Sequence, residues 1–109
     1  MLNPGPAKKV TVYVSEDVHH RGEPLYLAVL NFLFSHRVAG ATVVKGVAGF
    51  GAEHHLHTTR LLELSEHLPI RLEFIENEQA LNALMPALRE LVTEGLITVS
   101  EVEVVQHRK

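Results

Sequence analysis

The sequence predicts an α+β domain in the order β-α-β-β-α-β, with a four-stranded antiparallel sheet and two helices on one of its faces. Three features carry that prediction. Two stretches alternate apolar and polar residues with period two, a third is β-branched before a run of glycines, and one long stretch repeats apolar residues every three or four positions. The first alternation runs from Lys9 to Val14, with Val10, Val12 and Val14 facing one way and Thr11 and Tyr13 the other. Turn formers follow in SEDVHHRGEP, and Pro24, at a first helical position, opens a helix over Leu25 to Arg37 that Gly40 closes. Leu25, Val29, Phe32 and Leu33 form one apolar stripe, yet Leu27, Leu30 and Phe34 lie elsewhere on the circumference. Such a helix has more than one surface to cover, the sheet and a second subunit.

The next strand begins at about Ala41 in ATVVKGVAGFG. From Ala52 to Leu68 the pattern stays open, because RLLELSEHL fits a short helix and a strand about equally. Alternation resumes at Pro69, where Ile70, Leu72 and Phe74 oppose Arg71 and Glu73 in a third strand. Asn77 is a good N-cap, Glu78 suits the positive end of a helix dipole, and Leu81, Leu84, Met85, Leu88, Leu91 and Val92 follow at helical spacing. Pro86 removes one backbone hydrogen bond and predicts a kink. Gly95 falls at about the C′ position. The remainder, LITVSEVEVV, reads as a short extended piece, a turn at Ser100 and a last strand from Val102 to about Gln106, with Glu101 and Glu103 on one side as an exposed edge or a subunit contact requires.

This is the ferredoxin-like order. The 109 residues read as one domain, 1–109, with residues 1–7 a flexible start. No third helix covers the other face of the sheet, which predicts association into an oligomer. Apolar residues make up 46% of the chain, but no run reaches the roughly 20 residues of a membrane helix. The opening MLNPGPAKKV lacks the apolar stretch of a secretory signal, so a cytoplasmic protein that inserts into no membrane is expected. The absence of cysteine excludes disulfides, thiolate nucleophiles and cysteine-bound metals. A net charge of −3 without a Lys/Arg cluster argues against nucleic acid as a partner.

The most distinctive stretch is GVAGFGAEHHLHTTR, residues 46–60. Gly46, Gly49 and Gly51 permit positive φ and leave room for a ligand, so successive N–H groups can form a nest for a phosphate or carboxylate. An ordinary turn or bulge uses the same glycines, and no Lys-Ser/Thr follows to make a P-loop. His55 and His57 share one face of an extended segment; joined by His54, and by Glu53 as a fourth donor, they are candidate ligands for a divalent metal such as zinc, copper or nickel. A solvated polar loop is the simpler alternative, and the second pair, His19 and His20, reads as an exposed turn. Ser15, Glu16, Asp17 and His19 include the residue types of a hydrolase triad, but they are adjacent in sequence and no nucleophile elbow is present, so no enzyme is expected.

RGEPLY (21–26), GATVVKGVAGFG (40–51) and LSEHLP (64–69) resemble the motifs HGKPLY, GATV-x-x-G-x-x-GFG and LSE-x-LP of a PII-like family, domain of unknown function 190. Gly49-Phe50-Gly51, His57-Thr58 and Leu68-Pro69 also resemble PII signal-transduction proteins themselves. The resemblance implies a homotrimeric regulatory protein with a small anionic ligand, such as an adenine nucleotide, in clefts between subunits. A loop over 52–68 would report ligand state to a partner such as a membrane-transport protein or an enzyme. It implies Lys45, Gly46, Gly49, Phe50, Gly51, His57 and Thr58 as the residues at the ligand. The chain departs from PII proteins in three places. Ala52 and Glu53 stand where those carry Arg-Gln, no tyrosine lies between residues 51 and 68, and TEGLITVSEV lacks their glycine- and lysine-rich phosphate loop. The alternatives are a metal-binding trimer built on His54, His55 and His57, and a ligand-free interaction module using the apolar surface of the first helix.

Overall fold

The computed structural model describes residues 1–52, 56–58 and 67–109. In chain order its elements are β1 (Gly5–Ser15), β2 (His19–His20), β3 (Glu23–Pro24), α1 (Leu25–Ser35), β4 (Ala41–Lys45), β5 (Ala48–Gly49), β6 (His57–Thr58), β7 (Pro69–Glu76), α2 (Glu78–Leu91) and β8 (Leu96–Val104). The main sheet has the order β4-β7-β1-β8 with every pairing antiparallel. The central strands β7 and β1 belong to different halves of the chain, so each β-α-β half skips one strand and the halves interlock. This is the α+β, ferredoxin-like arrangement the sequence predicts.

Apolar alternation decides which face of the sheet the helices cover. Val10, Val12 and Val14 stand opposite Phe74, Leu72 and Ile70, and all six are buried. Such directly opposed pairs are the unit of sheet stabilisation. Leu25, Val29 and Leu33 of α1 and Leu81, Leu84 and Leu88 of α2 pack on that face to complete the core. Helix α2 starts where the sequence places it, because the Asn77 side chain accepts a hydrogen bond from the Ala80 N–H at 2.8 Å. It continues through Pro86 to Leu91.

On the opposite face Thr11 is buried between Glu73 and Thr98, whereas Tyr13, Val44 and Leu96 are 43%, 42% and 55% exposed. Helix α1 likewise leaves Phe34 exposed and Leu27 partly so, as its two apolar surfaces imply.

Four boundaries differ from the sequence reading. Residues 5–7 belong to β1 rather than to a flexible start, because β8 is long enough to pair with them: Gly5 lies opposite Val104 and Ala7, which is buried, opposite Val102. The expected turn at Ser100 does not form. Ser100 pairs with Lys9 in an unbroken strand that ends at Val104, since the eleven-residue β1 offers a continuous ladder and an edge strand accepts polar residues. Pro24 caps α1 instead of occupying its first turn, and the helix stops at Ser35, where His36 caps it and Arg37 turns left-handed with φ 58°. Helix α2 is capped by Val92, so Gly95 serves the connection to β8: its φ is 134°, and a Cβ there would lie 2.5 Å from the Tyr13 carbonyl oxygen.

Gly95→Ala combines a disallowed backbone angle with a backbone clash, and it is expected to lower stability by more than about 1 kcal/mol. Asn77→Ala removes only a cap and is expected to lose about 1 kcal/mol. Urea unfolding of both variants checks this; an unshifted midpoint for Gly95→Ala would contradict the geometry of that turn.

Candidate functional site at the base of the loop

Antiparallel register determines what meets at one end of the sheet. Ser15, at the end of β1, lies opposite Pro69, at the start of β7, and Lys45, at the end of β4, lies opposite Ile70. Residues 15–17, 45–49 and 67–69 therefore converge. The Glu16 N–H donates to the Leu68 carbonyl at 2.9 Å and the Gly46 N–H to the Pro69 carbonyl at 2.7 Å.

The side chains of the turn after β1 then hold both ends of the segment between β4 and β7. The Lys45 ammonium meets Glu16 Oε2 at 2.6 Å, and His67 Nδ1 meets Asp17 Oδ2 at 2.8 Å. The Ser15 hydroxyl donates to Asp17 Oδ1. That hydroxyl, and after it the His67 ring, hold the Asp17 carboxyl below its ordinary value, against the opposing effect of its partial burial. Glu16 Oε1 is buried without a hydrogen-bond partner among the described residues.

The glycines act differently from the expectation. Gly46, Gly49 and Gly51 do not adopt positive φ, so the alternating backbone of an anion nest is not formed there. Gly46 and Gly49 instead lie against the Pro69 ring: a Cβ on either would stand 2.8 or 2.9 Å from Pro69 Cγ. Close approach, not a left-handed turn, requires them. A Cβ on Gly51 would meet nothing.

Several of the residues singled out in the sequence do come together. Strand β5 pairs with β6, placing the His57 backbone opposite Gly49 and that of Thr58 opposite Ala48, one strand end away from Lys45 and Gly46. Phe50 is 63% exposed beside them, with Val47 and Leu56 also exposed. His54, His55 and Glu53 of the metal reading lie outside the described residues, among which no group of three or more His, Cys, Asp or Glu could hold a metal ion.

The hydrolase reading is not supported by the geometry. The Ser15 hydroxyl bonds directly to the Asp17 carboxylate, and the His19 ring meets the Asp17 carbonyl at 2.8 Å, whereas a triad places the imidazole between hydroxyl and carboxylate. Glu16 and His67 are the residues the sequence did not single out for this site. Their one signal is a charged or imidazole side chain placed immediately outside a strand end, which acquires meaning only once the register is known. A groove of about 540 Å³ at the opposite end of the sheet, lined by Lys9, Thr42, Glu73, Ile75 and His107 among others, includes none of the glycine-turn residues.

The model of a family described as "DUF190: Uncharacterized ACR" matches residues 7–104. A UPF0166 protein of Aquifex aeolicus is 30% identical over 98 residues, covering 90% of this chain and 92% of its own. A UPF0166 protein of Methanocaldococcus jannaschii is 30% identical over 99 residues, with coverage of 90% and 91%. Among solved structures, CPII, a nitrogen regulatory PII-like protein from Thiomonas intermedia bound to ADP, AMP and bicarbonate, superimposes with a TM-score of 0.69 at 18% identity, over 97% of this chain and 94% of that one. A PII-like signaling protein from Thermus thermophilus gives 0.67 at 19% identity, over 95% and 94%. Likeness at these identities establishes the fold. Among the described residues no helix is long and apolar enough to cross a membrane.

Asp17 yields a prediction whose sign is determined. A carboxyl held below its ordinary value of 3.8 contributes stability that is complete above that pH and disappears as pH falls through the folded value. Asp17→Asn is therefore expected to be less stable than wild type near neutrality, with the gap closing as the medium is taken below about pH 3.8. Thermal unfolding of both proteins at stepped pH measures it, and a gap that stays constant into acid would sink the assignment.

Proposed function

Since the chain belongs to the DUF190 family, we propose that it acts as a PII-like regulatory protein, a single-domain homotrimer of the cytoplasm that takes a small anionic ligand in clefts between subunits. The ligand class put forward is an adenine nucleotide. The observation that carries this reading is the fold match to CPII over 97% of the chain, because that protein was solved with ADP, AMP and bicarbonate and also with ADP, AMP and acetate. Anionic oxygen, on phosphate in the nucleotides and on a carboxylate-like group in bicarbonate and acetate, is the chemistry those ligands share.

Lys45, Gly46, Gly49, Phe50, Gly51, His57 and Thr58 are the proposed ligand contacts, and Lys45 is the cation among them. It is half exposed and paired with Glu16, and an ion pair so placed contributes little net stability. A phosphate or carboxylate arriving beside the glycine turn can therefore compete with Glu16 for Lys45. Glu16 would then be left as a partly buried carboxylate with no cation, which favours its movement away from the loop base. Ligand occupancy and the state of the segment 52–68 are linked through that exchange, with a coupling of roughly 1 to 3 kcal/mol in typical cases. Exposed Val47, Phe50 and Leu56 supply apolar contact for a partner protein, put forward as a membrane-transport protein or an enzyme. The exposed Tyr13, Val44 and Leu96 of the open sheet face support subunit association. The protein itself is proposed to perform no chemistry.

Calorimetric titration with ADP, AMP, ATP, a cyclic nucleotide and bicarbonate, on protein whose mass is measured at micromolar concentration, tests the proposal. A trimer that binds at least one of them, with affinity reduced tenfold or more in Lys45→Ala, is the expected result. A trimer that binds none overturns the ligand class, and a monomer overturns the shared cleft.

A further inference from the structure

At the end of the sheet away from the loop, the first residues of the chain, the turn after α1 and the end of β7 enclose a cavity of about 310 Å³. Small-molecule sites occupy about 300 to 1,000 Å³, so this is at the small end of the range. Its wall includes Glu76, the last residue of β7, and Arg37, which follows α1.

Glu76 is 9% exposed, and its Oε2 is buried with no hydrogen-bond partner among the described residues. The register explains why. Lys8 of β1 lies opposite Glu76 on one side and Glu101 on the other, and its ammonium goes to Glu101 at 2.9 Å. One lysine stands between two carboxylates, and the more buried of the two is left without it. The adjacent Asn77 turns its Oδ1 to the Ala80 N–H to cap α2, and its side chain makes no hydrogen bond to Glu76 Oε2. Arg37 forms none of the ion pairs made by the described residues. Glu76, with one carboxylate oxygen unpartnered, and Arg37, which takes part in none of those ion pairs, thus both line one small cavity without an ion pair between them.

A lone cation entering this space meets the arginine, and a lone anion meets the glutamate. A molecule carrying both charges satisfies both walls. We propose that the cavity binds a small zwitterion of the α-amino-acid class, with its ammonium donating to the Glu76 carboxylate and its carboxylate accepting two N–H bonds from the Arg37 guanidinium. Ammonium and guanidinium are donors only and carboxylates acceptors only, so each end of the ligand has one complementary wall. Paired charge-assisted bonds of this kind are among the stronger polar contacts available to a small ligand. The site lies at the opposite end of β1 and β7 from Lys45 and Gly46, and it stands or falls independently of the nucleotide reading.

The test titrates the full chain with free α-amino acids, and with methylammonium and acetate as single-charge probes, by calorimetry and by amide chemical shifts. The expected result is millimolar or tighter binding of at least one amino acid. It shifts the amides of Arg37 and Asn77, is weakened tenfold or more by Glu76→Gln and by Arg37→Gln, and is not matched by either probe. Arg37→Gln alters an exposed side chain, so it remains decisive if Glu76→Gln does not fold. Three results would overturn the proposal: no amino acid binds, methylammonium or acetate binds as tightly as the amino acids, or binding is unchanged in Arg37→Gln.

Discussion

The pairing of β1 with β7 is the constraint from which the rest of the molecule follows. Val10, Val12 and Val14 can reach Phe74, Leu72 and Ile70 only in the register that places Ser15 opposite Pro69 and Lys8 opposite Glu76. A slip of one residue would leave one strand's three apolar side chains in the core and turn the other's three to the open face. Burying six large side chains against two helices therefore locates, without further instruction, the turn at 15–17 beside the two ends of the loop and the Lys8 ammonium between two acids. The core and the two candidate sites are consequences of one register.

At the loop base the controlling element is Pro69. Its ring occupies the space in which side chains at positions 46 and 49 would stand, and its carbonyl accepts the Gly46 N–H. Glycine is thus needed there for packing of the strand end, while the charged contacts come from Glu16 and Asp17, two neighbouring residues that reach in different directions to Lys45 and His67. The backbone bonds hold the base in place. The ion pairs, being partly exposed, are the contacts at this base that a competing ion can exchange. The base thus combines backbone hydrogen bonds between strand ends with partly exposed ion pairs.

Much of this was legible in the sequence, and the parts that were not have a common physical reason. The alternation of Lys9 to Val14 and of Pro69 to Phe74, and the Asn77 cap with its three-and-four repeat, are local signals, and local signals specify elements. GATVVKGVAGFG and LSEHLP carried the family resemblance for the same reason. Ser100 misled because a polar residue in an edge strand looks like a turn until the partner strand is known, and Gly5 to Ala7 misled because Gly-Pro composition suggests a loose end. Gly46 and Gly49 stand out in the sequence as glycines for a left-handed turn, but the packing that requires them depends on Pro69, which lies on a different strand well beyond any local window. Glu16, Asp17 and His67 could not be assembled at all, since no local pattern announces which strand ends will meet.

The two ends of the sheet also differ in how they treat buried acid. Glu16 and Glu76 each keep one carboxylate oxygen buried without a hydrogen-bond partner among the described residues. At the loop end, Glu16 has the Lys45 ammonium on its other oxygen, so its charge is already balanced, and any process that removes the lysine is opposed by the residual burial of the acid. At the far end, Lys8 is drawn to Glu101, and the cross-strand position that could have neutralised Glu76 is spent on its rival. The first arrangement permits an anion only by exchange, because the anion must compete for a cation already in use. The second favours addition, because a cationic group can enter without displacing anything. One fold thus presents, at opposite ends of the same pair of strands, one contact suited to responding and another suited to capture.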